Sequence, residues 1–287
     1  MLPDMTVPLT IQQKCPLCGG VTYYAVATFP ELTWVSCSCG LIYKRTEAEQ
    51  SVAAAAYDET YFTESDRSSY NKRTRHRIRK SKVQILNLLE HVRPGPLLDV
   101  GCSLGYGLAA AGELGLEAVG LDISEFAVET CRKRGFKAEK GSIDQMPFAD
   151  ATFQMVVMKH VLEHTPEPGT VLREVRRILR PGGAVFISTP QAGYNRAVKN
   201  PARSRFYRPE NAGRDHFIYY TPVTLSRLLK EEQLVPVRIH PHIILRHACA
   251  AERYGRMAIL PFFAAAQALA DLLALRKEFW LVAMKPE

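Results

Sequence analysis

Along this chain the spacing of apolar positions changes repeatedly, and each change marks an element. From Pro96 onward, apolar runs of strand length alternate with segments that are apolar on one helical face. The runs predict strands near 96–101, 117–122, 136–141, 153–159 and 184–189, and the intervening segments predict helices near 106–114, 124–134 and 169–180. In the last of these helices Val171, Val175, Ile178 and Leu179 share a face, and Pro181-Gly182-Gly183 is expected to make the exit turn. Thr221-Pro222 then opens a helix carrying Leu225, Leu228 and Leu229; a strand near 234–239 and a last strand at 279–284 complete seven. Strands alternating with helices predict an α/β fold, a doubly wound and mostly parallel seven-stranded sheet.

Outside this alternation the patterning predicts a small module at 1–45, a linker at 46–71 and a main domain at 72–287. The linker is polar and Ala-rich, with Tyr57, Tyr61, Phe62 and Tyr70 expected to pin it to the domain, and a part in a lid over the substrate as the alternative. Seven of the eleven residues from Lys72 to Lys82 are Lys or Arg, and they lead into a helix whose Ile78, Ile85, Leu86, Leu89 and Val92 suit one buried face. The basic residues are expected on its solvated face, with phosphate contact as the alternative. Residues 190–220, rich in Arg, Asn, Gly and aromatics, interrupt the alternation where a cap over a site would lie. A C-terminal segment, 248–276, is largely apolar but contains Pro261, Gln267 and Asp271. It is expected to be a helix packed on the domain and not a membrane span, with interfacial membrane contact left open.

Charge and cysteines add two points. A net charge of +8 favours acidic partners without identifying one. The seven cysteines do not form an evenly spread disulfide framework. With no basic residue before Lys14 and no apolar core behind it, a secretory signal is not expected, which points to the cytoplasm. Four cysteines stand as Cys15-Pro16-Leu17-Cys18-Gly19 and Cys37-Ser38-Cys39-Gly40, two knuckles separated by eighteen residues that are expected to form a hairpin. Such pairs place four thiolates around a structural zinc ion, although Cys37 and Cys39 are one residue apart where two are usual.

The stretch that organises the main domain is Leu97-Leu98-Asp99-Val100-Gly101-Cys102-Ser103-Leu104-Gly105-Tyr106-Gly107. It reads as a buried strand, a glycine-spaced turn that cradles a ligand, and a helix start. Gly105 is not followed by Lys-Ser/Thr, which excludes a P-loop, and the glycines do not have the G-x-G-x-x-G spacing of a dinucleotide fold. Asp99-x-Gly101-x-Ser103-x-Gly105 instead resembles the first motif of class I S-adenosylmethionine-dependent methyltransferases, with Ser103 where a glycine is usual. A second strand ends at Asp122, placed to accept from both hydroxyls of a ribose, and Ser124 can cap the next helix. Gly141 to Phe148, Phe153 to Val157, His160 to His164 and Leu179 to Gly183 follow in the order of the later motifs. The ensemble resembles the subfamily of quinone-biosynthesis O-methyltransferases and polysaccharide or natural-product methyltransferases.

The resemblance implies a Rossmann-like fold, an N-terminal zinc ribbon of the kind some of these enzymes carry, and S-adenosylmethionine as cofactor. It places the methionine part along Asp99, Gly101, Cys102, Ser103 and Gly105, the ribose on Asp122 and Ile123, and the adenine beside Ser142 and Ile143, with His160 nearby. Most relatives have Asp at the position of Ser142, and Asp144 is placed to substitute. Methyl transfer to a hydroxyl needs a base, and His164, His216 and Glu163 are the candidates, since an imidazole ordinarily titrates near about 6.5. His160-x-x-Glu163-His164 copies a zinc-peptidase spacing but leaves a strand for a loop, which excludes the helix that motif needs. In the quinone enzymes this segment resembles a divalent-cation site with a carboxylate at the position of His160.

The acceptor implied is a small molecule, methylated on oxygen: a sugar, lipid-linked or natural-product intermediate. An rRNA methyltransferase is the alternative, since one such family also joins a zinc module to this fold. Its ligand set ends in histidine, and its Asn/Asp-Pro-Pro-aromatic motif is replaced here by Lys159-His160-Val161-Leu162, which disfavours nucleic acid as a partner. A non-catalytic zinc-ribbon adaptor is a third reading, supported only by the serines at 103 and 142.

Overall fold

The computed structural model describes residues 9–10, 14–29, 32–45, 57, 61–62, 74–192, 216–241 and 278–287. Most of the 46–71 linker, the interior of the 190–220 insertion and all of the 248–276 segment lie outside the described residues. No described helix is long and apolar enough to cross a membrane.

Four strands open the chain: β1 (Leu9–Thr10), β2 (Thr22–Phe29), β3 (Leu32–Cys37) and β4 (Ile42–Arg45). They pair antiparallel in sequence order. After α1 (Thr74–Leu89) the alternation begins: β5 (Leu97–Val100), α2 (Tyr106–Glu113), β6 (Ala118–Asp122), α3 (Glu125–Lys133), β7 (Lys137–Lys140), β8 (Phe153–Lys159), α4 (Pro168–Ile178) and β9 (Leu179–Pro190). The chain then adds β10 (Ile218–Tyr219), α5 (Pro222–Glu231), β11 (Val235–Pro241) and β12 (Glu278–Met284). The main sheet has the order β11-β12-β9-β8-β5-β6-β7. β5 through β9 pair parallel, and β12 runs antiparallel to both of its neighbours. This is the doubly wound, mostly parallel seven-stranded sheet expected.

The sequence explains these choices locally. All four residues of β5 are buried, as a central parallel strand covered on both faces requires. Ser124 accepts from the Ala127 N–H at 3.3 Å to cap α3, and Thr221 and Thr224 close a reciprocal cap on α5. Because β5 leads on to β6 on one side and its neighbour β8 leads on to β9 on the other, the connections leave the carboxyl ends of these two strands in opposite directions. That divergence opens the crevice in which such sheets bind ligands.

Three expectations need correction. Leu86 is 48% exposed; the inward face of α1 is instead Ser81, Gln84, Ile85 and Leu88, at i, i+3, i+4 and i+7. The basic run is therefore not one solvated face. Arg75 and Arg79 are exposed, Lys80 pairs with Glu278 at 3.3 Å, and Arg77 reaches the central cavity. Leu179 belongs to β9, not to the helix before it, because its backbone is extended and it pairs with Phe153; Pro181-Gly182-Gly183 sit in a bulged stretch of that strand and make no exit turn.

The N-terminal sheet extends past the expected module. Its fifth strand is β10, with Ile218 opposite Tyr43 and Tyr219 opposite Ile42. One apolar core accordingly runs from Cys15, Tyr23 and Tyr43 through Ile218 and Leu225 to Val156 and Ile187 beneath the main sheet.

Candidate functional site

The turn after β5 is held from both sides. Gly101 has φ +68°, and a Cβ there would lie 2.6 Å from Cγ2 of Val161, so only glycine fits. The Ser103 N–H donates to Oδ2 of Asp122 at 2.8 Å and the Ser124 N–H to Oδ1 at 2.9 Å. One carboxylate thus ties the first turn to the second. The remaining acceptor capacity of its oxygens is left for a ligand. Asp99 packs its carboxylate where a side chain on Gly107 would stand. Burial pushes the Asp99 carboxyl up to about 7, with Lys159 pulling it down and Asp122 adding to the rise.

These residues wall a cavity of about 770 Å³, inside the range of small-molecule sites. At one end stand Asp122, Ile123, Ser142, Ile143 and Asp144, with the Ser142 hydroxyl donating to Asp144. Gly101, Cys102 and Ser103 form the middle, and Gly105 starts α2 behind them. The expected cofactor residues are therefore brought together. The wall also has a part that the sequence reading missed: Arg77, Ser81 and Gln84 of α1, with Tyr106 and Lys159. Gln84 is 3% exposed, and among the described residues neither polar atom of its amide has a hydrogen-bond partner. Burial and the neighbouring Lys80 and Arg77 lower the Lys159 ammonium to about 8, while Asp99 and Glu278 act to raise it. The signal was present in the sequence, as polar residues at i, i+4 and i+7 on a helix face that also carries Ile78 and Ile85.

The opposite wall is built by the chain leaving β8. His160 has φ +52° and bridges two carboxylates, Nδ1 to Glu163 at 3.2 Å and Nε2 to Glu278 at 2.8 Å. Burial acts to lower its pKa, but the two carboxylates outweigh it and push it up to about 9. Glu163 is fully buried; burial acts to raise it, and His160, His164 and His216 hold it below the ordinary range. Among the described residues its Oε2 has no hydrogen-bond partner. Glu163 and His164 lie in a short 3-10 turn, Leu162–His164, so the peptidase arrangement is absent as expected. His164 lines the cavity, with Nδ1 3.3 Å from the Tyr57 hydroxyl. His216 stands one layer behind, its ring edge-on to His164 at 4.7 Å. Together Glu163, His164 and His216 offer a carboxylate oxygen and two imidazole nitrogens within 4.8 Å of one another, a donor set that suits a divalent cation. His160, held between two carboxylates, is not among them.

The four N-terminal cysteines also converge. Cys15 and Cys39 have their sulfurs 3.7 Å apart, and Cys18 and Cys37 are 3.5 Å apart. Sulfurs placed tetrahedrally at about 2.3 Å from zinc stand about 3.8 Å from each other, so the cluster fits the ion despite the short Cys37-Cys39 spacing. Gly19 and Gly40, with φ +66° and +88°, turn the two knuckles, with Gly19 N–H donating to Cys15 O and Gly40 N–H to Cys37 O.

A ubiquinone biosynthesis O-methyltransferase of Methylococcus capsulatus is 31% identical over 134 residues, covering 44% of this chain and 55% of that protein. A "probable S-adenosylmethionine-dependent methyltransferase" of Mycolicibacterium smegmatis is 30% identical over 133 residues, covering 46% and 50%. This chain thus spans about half the length of the curated relatives it matches. Among solved structures, a SAM-dependent methyltransferase from Archaeoglobus fulgidus shares the fold with a TM-score of 0.50 at 17% identity, over 72% of this chain and 94% of that one. The segment from β5 to β9, residues 98–187, matches the family described as a methyltransferase domain.

Proposed function

We propose that the chain transfers a methyl group from S-adenosylmethionine to an oxygen of a small molecule. The observation that carries this reading is the Asp122 carboxylate, fixed by two backbone N–H groups with acceptor capacity left on the cavity wall. Bound S-adenosylmethionine supplies an activated methyl group on a sulfonium. Asp122 accepts from the ribose hydroxyls, and Ser142 with Asp144 accepts from the adenine amine. Asp99 and the orphaned Gln84 amide receive the ammonium end of the methionine part, and Arg77 and Lys159 receive its carboxylate. Every buried polar group in that wall then has a partner.

On the acceptor side His164 takes the proton from the hydroxyl as the methyl arrives, and His216 and Glu163 orient its ring. A divalent cation held by Glu163, His164 and His216 is a second reading of the same side chains, favoured by the unpartnered Glu163 Oε2; it would polarise the acceptor hydroxyl. The names of the ubiquinone O-methyltransferase relatives support oxygen as the target. The cysteine cluster holds one structural zinc, and its reduced thiols suit the cytoplasm.

The test is transfer of labelled methyl to a panel of hydroxyl-bearing small molecules, with rRNA as the opposing arm. His164→Ala should lower turnover roughly 10²–10⁴-fold while S-adenosylhomocysteine still binds. Labelling of rRNA alone, or full turnover without His164, overturns the reading.

A further inference from the structure

We propose that the four-cysteine ribbon is a positioning element of the acceptor wall, acting on His164 through β10. The inference rests on the reading of His164 above for its functional meaning, but its structural content stands separately.

A backbone seam joins the ribbon to the wall. β4 begins three residues after Cys39, and β10 pairs with it. Beside that pair the Lys44 N–H donates to the Phe217 carbonyl at 2.7 Å, and the Phe217 N–H donates to the Glu163 carbonyl at 2.7 Å. The residue at 217 is therefore clamped between the ribbon strand and the 3-10 turn that presents His164. A chain of rings runs parallel to the seam. Trp34 of β3 lies 4.8 Å from Tyr219, Tyr219 lies 5.5 Å from His216, and His216 lies 4.7 Å from His164. Trp34 is 5% exposed and packs with Ile42 of β4, Ala192 and Tyr219, so the first ring of the chain sits where the ribbon meets the main domain.

Among the described residues the cofactor turn shares no backbone hydrogen bond with the ribbon; it meets the acceptor wall through the packing of Val161 against Gly101. Asp99, Asp122 and the turn between them are fixed within the main sheet and by α2 and α3. Loss of metal order in the ribbon should therefore loosen the acceptor wall and spare the cofactor seat. Metal sites of this type couple ligand binding to local folding, so the ribbon is the part of the chain whose order depends on the ion.

The experiment compares three proteins: the zinc-loaded chain, the same chain after chelation with its metal loss confirmed, and Lys44→Pro with all cysteines intact. Lys44→Pro removes one donor of the seam and no ligand of the metal. Amide hydrogen exchange at Phe217 should speed up at least about tenfold in the second and third proteins, with Val100, Leu121 and Val128 retaining protection. The His164 imidazole resonances should move in both, and also in Trp34→Ala, with Trp34→Phe restoring them. Calorimetry with S-adenosylhomocysteine should give unchanged affinity. Unchanged exchange at Phe217 in Lys44→Pro, or loss of S-adenosylhomocysteine binding in parallel with the ribbon, overturns the proposal. If His164→Ala leaves methyl transfer intact while the exchange results hold, the functional reading of His164 fails and the seam stands.

Discussion

Asp122→Ala separates cofactor recognition from loop architecture. In the folded protein its two oxygens already accept from Ser103 and Ser124, so the substitution removes two kinds of partner at once. Toward a ligand it removes charge-assisted bonds to ribose hydroxyls, a loss of about 1.5–3 kcal/mol, or roughly 10–150-fold in affinity. Toward the protein it strands the N–H of Ser124, a residue only 3% exposed, at a cost of about 1–3 kcal/mol in stability. The N–H of Ser103 can find water instead. Calorimetry with S-adenosylhomocysteine reads the first quantity and a denaturant melt the second. To keep them apart, the 2′-deoxy form of the ligand serves as a second perturbation. The wild type should distinguish the two ligands, and Asp122→Ala should bind them alike, since the removed hydroxyl no longer has its acceptor. Undiminished preference for the hydroxylated ligand in the variant, or an unchanged affinity with lowered stability, would refute the ribose assignment and leave Asp122 a staple between two turns.

Three further outcomes are expected. Metal analysis should find one zinc per chain, lost in Cys15→Ser with Cys18→Ser. Affinity for S-adenosylhomocysteine should peak between the Asp99 value of about 7 and the Lys159 value of about 8, because Asp99 gains its charge as pH rises through the first and Lys159 loses its charge through the second. Asp99→Asn should flatten the acid limb and Lys159→Met the alkaline limb. Neutralising the exposed Arg75 and Arg79 should leave small-molecule turnover intact; a collapse of salt-dependent binding to RNA accompanied by loss of turnover would restore the nucleic-acid alternative.

The parallel sheet was legible because its strands are apolar runs and its helices have one apolar face, both of which depend on sequence neighbours alone. The cofactor turn was legible because Gly101, Asp122 and their spacing are imposed by backbone geometry. The α1 wall was not read, because Arg77, Ser81 and Gln84 look like surface residues until a cavity is known to lie against them. Leu86 failed for the complementary reason: an apolar residue in an amphipathic segment was assigned to the core, whereas the buried stripe passes on the other side of the helix and is polar at its cavity end. The place of β10 in the N-terminal sheet could not be read at all. Two residues carry no periodicity, and their partner strand lies more than 170 positions earlier.

The two serines that supported a non-catalytic adaptor are accommodated by the structure. Ser103 stands at φ +51°, the conformation that explains why glycine is usual there. A side chain in that region is strained, and the loop holds it by tying the Ser103 N–H to Asp122 and its carbonyl to the Cys131 thiol at 3.2 Å. The strain is thus fixed in place at the ligand-facing turn. Ser142 in turn donates to Asp144, which shares the cavity wall and puts a carboxylate at that end of the site. A chain that had lost its cofactor would have no reason to keep a buried aspartate, an orphaned glutamine amide and a lysine with a lowered pKa around one cavity, since each costs stability without a ligand. The polar wall of α1 therefore argues for a working cofactor site more strongly than the glycine turn does, because a turn can survive as architecture and unpaired buried polar groups do not.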